Sequence, residues 1–127
     1  MSTKYSDIPK GIMAMFSGSA LSSALTGGLH HTEAIEPAMP FGVFTMVSQT
    51  HLDLDIDRAR IQVDLYSDSD DPGVVAALAD LAIALFDGGY PASPAGGTIG
   101  FDLINLQTLR EDRVWRVMME YTLGIER

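Results

Sequence analysis

The sequence predicts an α+β domain in which an antiparallel β-sheet carries two helices packed on one face. Three observations favour this fold class. Apolar residues recur at helical spacing near the N-terminus and again from Val74 to Phe86. Two stretches alternate between apolar and polar residues, as half-buried strands do, and short turns join neighbouring strands. At 127 residues the chain has the size of one domain, so we take residues 1–127 as a single unit.

The N-terminal third is predicted to contain one amphipathic helix and an extended passage. Residues 1–6 are expected to form a loose tail. Apolar side chains between Ile8 and Phe16 share one helix face. The serine-rich run that starts at Ser17 is a poor helix former, so we expect the helix to break there. A glycine pair ends it, and Leu29–Thr32 is suited to one short strand.

The central third predicts a pair of strands followed by a capped helix. Phe41–Gln49 is rich in β-branched and aromatic residues on both sides, which suggests a strand covered on both faces. Arg58–Ser67 alternates cleanly between apolar and polar residues and is therefore predicted to be half-buried. Asp71 is a suitable N-cap and Pro72 a suitable first residue for a helix that runs to Phe86.

The C-terminal third predicts a second strand pair behind a loop. Residues 90–97 contain two prolines and a glycine pair, and we expect a flexible loop there. Thr98–Leu109 is predicted to be a strand, Arg110–Arg113 a charged turn and Val114–Ile125 the last strand. Trp115 shares the apolar side of that strand, which favours burial in the core over a role at an interface.

Composition disfavours several classes of function. The formal net charge of −9 opposes a grip on nucleic acid that neutralises phosphates with Lys and Arg. The chain has no cysteine, so disulfides and thiolate metal sites are excluded. No stretch approaches the ~20 apolar residues needed to cross a bilayer. The polar N-terminus has no apolar run of a signal peptide, so we expect a soluble protein with no membrane partner.

Carboxylates at alternate positions are the best candidates for a cation site. Asp53, Asp55 and Asp57 would lie on one side of an extended segment and could attract a hard cation. The calcium-loop template needs Gly at its sixth position and Glu at its twelfth. Counting from Asp53, these positions hold arginine and aspartate. We therefore predict a solvated turn without a bound metal. A small cation-binding module or metal-dependent enzyme is the alternative from another class of function.

Signatures of catalysis are missing from the sequence. No G-x-S-x-G elbow occurs, and no glycine-rich phosphate loop opens a helix with a lysine. If Leu29–Thr32 is extended, His30 and His31 point in opposite directions and cannot easily share one metal ion. We therefore predict no catalytic residues and no cofactor, and we expect that the protein is not an enzyme.

Charged residues indicate two candidate subunit-docking surfaces. One is basic and the other, expected opposite to it, is acidic: Arg110, Arg113 and Arg116, and Asp68, Asp70 and Asp71. A chain with arginines at one end and acids at the other can dock head to tail with copies of itself. Ordinary surface ion pairs, which contribute little to stability, are the alternative explanation for each residue taken singly.

Four stretches of the sequence carry a resemblance to a known family. They are the passage GGLHHTEAIEPAMPFGVF, the strand RARIQVDLYS, the turn and helix DSDDPGVVAALADLAIALFDGG, and the final hairpin REDRVWRVMMEYTLGIE. Together they resemble the phage tail-completion proteins, also called tail terminators or head–tail joining proteins. The likeness runs from about Ile8 to the end of the chain. The segment HLDLDID is more acidic than the family pattern requires.

The resemblance implies an α+β fold and a role in assembly rather than catalysis. Members of the family form rings, typically hexameric, that cap the tail tube at its head-proximal end and meet the head connector. For this chain it implies a virion structural protein of a phage, prophage or phage-derived particle, assembled in the host cytoplasm. Its partners would be copies of itself, the major tail tube protein and the head–tail connector protein. DNA would pass through the ring without specific binding. Another connector component or a tail tube subunit is the runner-up.

Overall fold

The structure, a computed structural model, describes residues 6–51, 56–89 and 98–126, except for the side chains of residues 56, 98, 99 and 126. These ranges form three helices and five strands, which confirms the predicted α+β class. In chain order they are α1 Asp7–Phe16, α2 Ala20–Ala24, β1 Leu29–His31, β2 Phe41–His51, β3 Ile56–Ser67, α3 Pro72–Phe86, β4 Thr98–Glu111 and β5 Val114–Glu126. Within the described ranges, no helix is long and apolar enough to span a membrane.

The strands form one sheet in the order β1-β2-β3-β5-β4. Its three long pairs are antiparallel. Short connections predicted this for β2–β3 and for β4–β5, whereas β3 and β5 pair although α3 and β4 lie between them in the chain. The short strand β1 runs parallel to β2 and pairs Leu29 with Gly42 and His31 with Phe44. The sheet is therefore mixed, because residues 32–40 carry the chain back to the end of the sheet at which β1 started.

Helices cover one face of the sheet and form the core with it. The buried side of β3 matches the predicted alternation, and β5 buries its alternate residues in the same way. These core residues are Ala59, Ile61, Val63 and Leu65 of β3, and Val117, Met119, Tyr121, Leu123 and Ile125 of β5. Ile8 and Ile12 of α1 and Phe86 of α3 pack against them. Burial of apolar surface, at about 25 cal/mol per Å², is the main source of stability.

The break in the first helical segment is confirmed. The helix α1 ends at Phe16, and α2 begins at Ala20 with Ser19 as its N-cap. The Ser19 hydroxyl accepts a hydrogen bond from the backbone N–H of Ser22 at 3.1 Å and donates one to the Phe16 carbonyl. Ser19, which belongs to the serine-rich run that weakens the first helix, thus also starts the second one. The structure therefore has three helices where two were predicted.

The start of α3 also follows the prediction. The Asp71 carboxylate accepts a hydrogen bond from the backbone N–H of Gly73 at 2.8 Å, and Pro72 is the first helical residue. The prediction for β2 is only half right. Its first half is partly covered, but the side chains from Val47 onward are exposed. The reason is that β1 stops at His31, and the rest of β2 lies at the edge of the sheet.

Candidate assembly surface

The arginines and aspartates predicted to lie opposite one another are at the same end of the sheet. Ser67 at the end of β3 pairs with Trp115 at the start of β5, so the turns that follow β3 and precede β5 are neighbours. Arg110 Nη2 lies 3.9 Å from Asp70 Oδ1. The predicted separation into an acidic and a basic surface is therefore wrong, because strand pairing brings both turns together. Whether these residues dock subunits stays a prediction.

Arg110 lies over the only tryptophan of the chain. Its guanidinium carbon is 4.7 Å from the centre of the Trp115 ring, and the indole packs against the core from the edge. The contact is a cation–π interaction and contributes about 0.5–1 kcal/mol at an exposed site. The Arg110 ion pair to Asp70 adds little, because the Asp70 side chain is fully exposed.

Arg116 is held by Asp64 on the face of the sheet that the helices leave open. Both Nε and Nη2 of Arg116 lie 3.0 Å from Asp64 Oδ1, and Gln62 Nε2 donates to Asp64 Oδ2 at 2.9 Å. The Asp64 side chain is 6% exposed and that of Arg116 24%. The Arg116 side chain is therefore already paired within its own chain. Nothing in the strand pattern distinguishes Asp64 from its exposed neighbour Arg60, so sequence reasoning missed this pair.

Aromatic side chains shield the ion pair. The Arg116 guanidinium carbon lies 5.7 Å from the Tyr66 ring centre, and Phe41 stacks on Tyr66 at 4.7 Å. Burial raises the pKa of Tyr66 above its ordinary value, and the nearby Asp64 carboxylate raises it further. Burial alone would lower the pKa of Arg116, but the charges of Asp64, Tyr66 and Glu111 and the hydrogen bond to Asp64 together raise it.

Arg113 lies at the tip of the β4–β5 hairpin. The turn consists of Asp112 and Arg113, whose φ angles are 45° and 72°. Two-residue hairpin turns with both φ angles positive match the twist of the strands and favour glycine at these positions. An arginine there carries a backbone cost of roughly 1–2 kcal/mol. Among the three predicted docking arginines, Arg113 alone forms no ion pair with another described residue.

The acidic residues differ in their roles. Asp71 is occupied as the N-cap of α3. The Asp68 and Asp70 side chains are exposed at the turn before the helix. These carboxylates lie near the positive end of the α3 dipole, which stabilises them locally. Of the predicted acidic surface, Asp68 and Asp70 therefore remain available to a partner.

The candidate cation site is only partly described. Asp53 and Asp55 lie outside the described residues, as do the predicted loop 90–97 and most of the predicted tail 1–6. Asp57 lies in β3 and is buried, where Gln49 Nε2 donates to it at 2.8 Å and His51 Nδ1 lies 3.1 Å from it. The prediction of a solvated turn is therefore wrong for Asp57. The described residues contain no group of three or more possible metal ligands.

The adjacent side chains of His30 and His31 contact different residues. His30 Nε2 lies 2.7 Å from the Gly27 carbonyl oxygen, and the His31 ring stacks on Phe44 at 4.9 Å between centres. Gly27 is required at its position, because an added Cβ would lie 1.9 Å from the Ala38 carbonyl oxygen. These contacts hold the β1–β2 connection, residues 32–40, against the end of the helical segment.

The outer side of α3 exposes apolar surface. Asp80 is the only charged residue in the helix, and small apolar side chains face outward beside it. A shallow apolar pocket of about 210 Å³ lies between α2 and α3, lined by Ser19, Ala20, Leu21, Leu81, Ala84 and Leu85. Helices that are apolar all round are usually buried on every side. The outer side of α3 therefore presents mainly small apolar side chains and a single charge to the solvent.

The fold is similar to that of a virion protein. A chain from the virion of a native gene transfer agent particle superposes with a TM-score of 0.70 at 10% identity, covering 98% of this chain and 96% of that one. A second solved structure, which carries no functional name, gives a TM-score of 0.61 at 17% identity over 94% and 96% of the two chains. No protein-family model matches the sequence, and no curated protein matches it. At these identities the similarity establishes the fold.

Proposed function

We propose that this chain is a structural protein of a phage-like virion. The observation that carries the proposal is the likeness to the gene transfer agent chain, which extends over 98% of this chain and 96% of that one. Because both chains are covered almost completely, the likeness includes the whole domain and not a common supersecondary motif. A shared fold does not by itself imply a shared function. The proposal therefore also rests on the resemblance in residue pattern to the tail-completion proteins.

Within the virion, we assign this chain the role of tail terminator. In this role a ring of copies, typically hexameric, caps the tail tube and joins it to the head connector. The partners are further copies of the chain, the major tail tube protein and the connector protein. DNA passes through without specific binding, which suits a chain with a net charge of −9. The role requires neither catalytic residues nor a cofactor. Its place is the head-proximal end of the tail.

Deletion of the gene from a particle-producing cell tests this role. We expect electron micrographs to show filled heads and separate tails of irregular length, because the tube lacks its cap and its joining surface. A plasmid copy of the wild-type gene should restore joined particles. Absence of tails would indicate a tail tube subunit instead, and unjoined tails of normal length would indicate a head-side connector. Normal joined particles would overturn the proposal.

The variant Arg113→Gly separates docking from folding. Glycine adopts positive φ without a Cβ penalty, so we expect the free energy of unfolding to rise by about 1 kcal/mol. The hairpin tip loses its cation, so we expect fewer joined particles. Asp112→Gly relieves the same turn but keeps the cation, and is the matched control. Urea unfolding and particle counts measure the two effects. An unchanged yield of particles with Arg113→Gly would remove Arg113 from the docking surface.

A further inference from the structure

The first edge of the sheet has a step. The short strand β1 covers β2 only between Gly42 and Phe44, and the backbone N–H of Thr32 extends this cover by donating to the Phe44 carbonyl at 2.8 Å. Beyond this point no described residue pairs with the outer side of β2 up to Thr50. This edge therefore projects over the first half of β2 and is recessed over the second half.

The opposite edge has the reverse step. After α3, Gly88 N donates to the Phe101 carbonyl at 2.8 Å, and Phe101 N donates to the Gly89 carbonyl at 2.6 Å. The Asp87 carboxylate accepts from Leu103 N at 3.1 Å. From Ile104 to Glu111, no described residue pairs with the outer side of the β4 backbone. This edge projects over the first part of β4 and is recessed over the rest.

The two steps lie at matching heights along the strands. Following the register across the sheet, Phe44 of β2 is level with Leu106 of β4. By the same register, His51 is level with Thr98. The projecting part of each edge is therefore level with the recessed part of the other. Two copies placed side by side without a shift along the strands would fit together at these edges.

The recessed parts of the two edges also lack the charged residues and prolines that usually block pairing with another strand. Four of the six large apolar side chains exposed within the described residues lie there or in the β1–β2 connection: Ile35 at 82%, Val47 at 55%, Ile104 at 46% and Leu106 at 41%. No charged residue occurs from Leu103 to Leu109 or from Phe41 to Thr50. Natural edge strands normally carry charges or prolines that block pairing. In a chain with a net charge of −9, these uncharged edges are where two copies can approach with least repulsion.

We infer that a second copy of this chain occupies these edges. The strand β1 of one copy adds to β4 of its neighbour beside Leu106, and residues 87–89 of that neighbour fit against the recessed half of β2. Because β1 runs antiparallel to β4 within the sheet, a neighbour in the same orientation forms an antiparallel pair. The contact joins two different surfaces and forms a ring where the rotation between copies closes. The inference deepens the proposed function and rests on it for the premise that copies assemble.

Cysteine cross-linking tests the pairing directly, because the natural chain has no cysteine. The double variant Glu33→Cys and Asn105→Cys places one exposed thiol beside β1 and one on β4. With a short bifunctional thiol reagent we expect dimers, trimers and larger species, whereas each single variant stays monomeric. The double variant Ser23→Cys and Asp80→Cys, at exposed positions on the helices, is the control and should form no such series.

Two outcomes of this experiment would overturn the inference. Dimers from Asn105→Cys alone, as abundant as those from the double variant, would mean that β4 pairs with β4. Absence of species larger than the monomer, both in concentrated protein and in purified particles, would mean that the edges do not meet. A cross-linked series from the pure protein, together with its absence from particles, would instead refute the proposed virion role and leave the pairing intact.

Charge at the edge provides a second test. Leu106→Lys places a cation on the recessed part of β4, and Val74→Lys does the same on α3 at a matched exposure, 41% against 37%. We expect Leu106→Lys to weaken self-association at least ~10-fold in sedimentation measurements, and Val74→Lys to leave it unchanged. Both variants should keep the melting temperature and circular dichroism of the natural chain. Equal association of the two variants would contradict edge pairing.

Discussion

The two faces of the sheet are built on different principles. The face under the helices is mainly apolar, and Phe86, Phe101 and Tyr121 form edge-to-face contacts at its centre. The open face is organised around the Asp64–Arg116 ion pair. Apolar packing can lose one side chain at a graded cost, whereas an ion pair that loses one partner leaves a poorly solvated charge. The helical face is therefore the main source of stability, whereas the stability of the open face depends on keeping both charges of the Asp64–Arg116 ion pair.

The largest expected effect comes from opening a cavity under the helices. Phe86→Ala removes the ring that contacts both Phe101 and Tyr121, and we expect a loss of about 3–5 kcal/mol in the free energy of unfolding. Val74→Ala on the same helix removes a partly exposed side chain and should cost less than about 1 kcal/mol. Urea unfolding measures both. Similar losses for the two variants would show that the helical face is not the main source of stability.

A smaller effect is expected from removing one partner on the open face. Asp64→Ala leaves Arg116 without its main acceptor, and we expect a loss of about 1–3 kcal/mol, reduced because Arg116 keeps some contact with water. The double variant Asp64→Leu and Arg116→Met keeps the volume without the charges and should regain most of that loss. If the double variant is as unstable as the single one, the open face does not depend on matching the two charges.

The smallest effect at neutral pH is expected from the buried tyrosine hydroxyl. Burial raises the pKa of Tyr121 above its ordinary value of 10.0, and Asp87 raises it further. Because the folded-state pKa exceeds the unfolded one, this stability is complete below pH 10.0 and is lost as the pH rises above it. Tyr121→Phe should change stability at pH 7 by less than about 1 kcal/mol, since the hydrogen bond of its hydroxyl within the described residues is a weak one to the Met119 sulfur at 3.7 Å.

Alkaline unfolding, followed by circular dichroism, provides the measurement. The Tyr121→Phe variant should unfold at higher pH than the natural chain, because it has no buried hydroxyl to ionise. Tyr66→Phe is the matched variant on the open face, where the tyrosine is only half buried. We expect it to shift alkaline unfolding less than Tyr121→Phe does. A larger shift for Tyr66→Phe would reverse the comparison between the two faces.

Local chemistry made several elements predictable from the sequence. The alternation in Arg58–Ser67, the Asp71 cap with Pro72 after it, and the weak helical run at Ser17 each act within a few residues of chain. The candidate site was less predictable. Arg110 and Asp70 are far apart in sequence, and only the pairing of β3 with β5 brings them together. A strand pattern assigns a side chain to a face but does not tell which neighbour covers it.

The sequence by itself determined the fold class, the start of α3 and the buried sides of β3 and β5, because periodicity, capping and turn geometry are local properties of the chain. The tertiary structure alone decided the parallel placement of β1, the burial of Asp57 and Asp64, and the two stepped edges of the sheet. Each of these depends on strand order and register. Strand order and register are set by contacts between residues that are distant in sequence. Many local sequence patterns are equally compatible with such contacts, so the local pattern does not determine them.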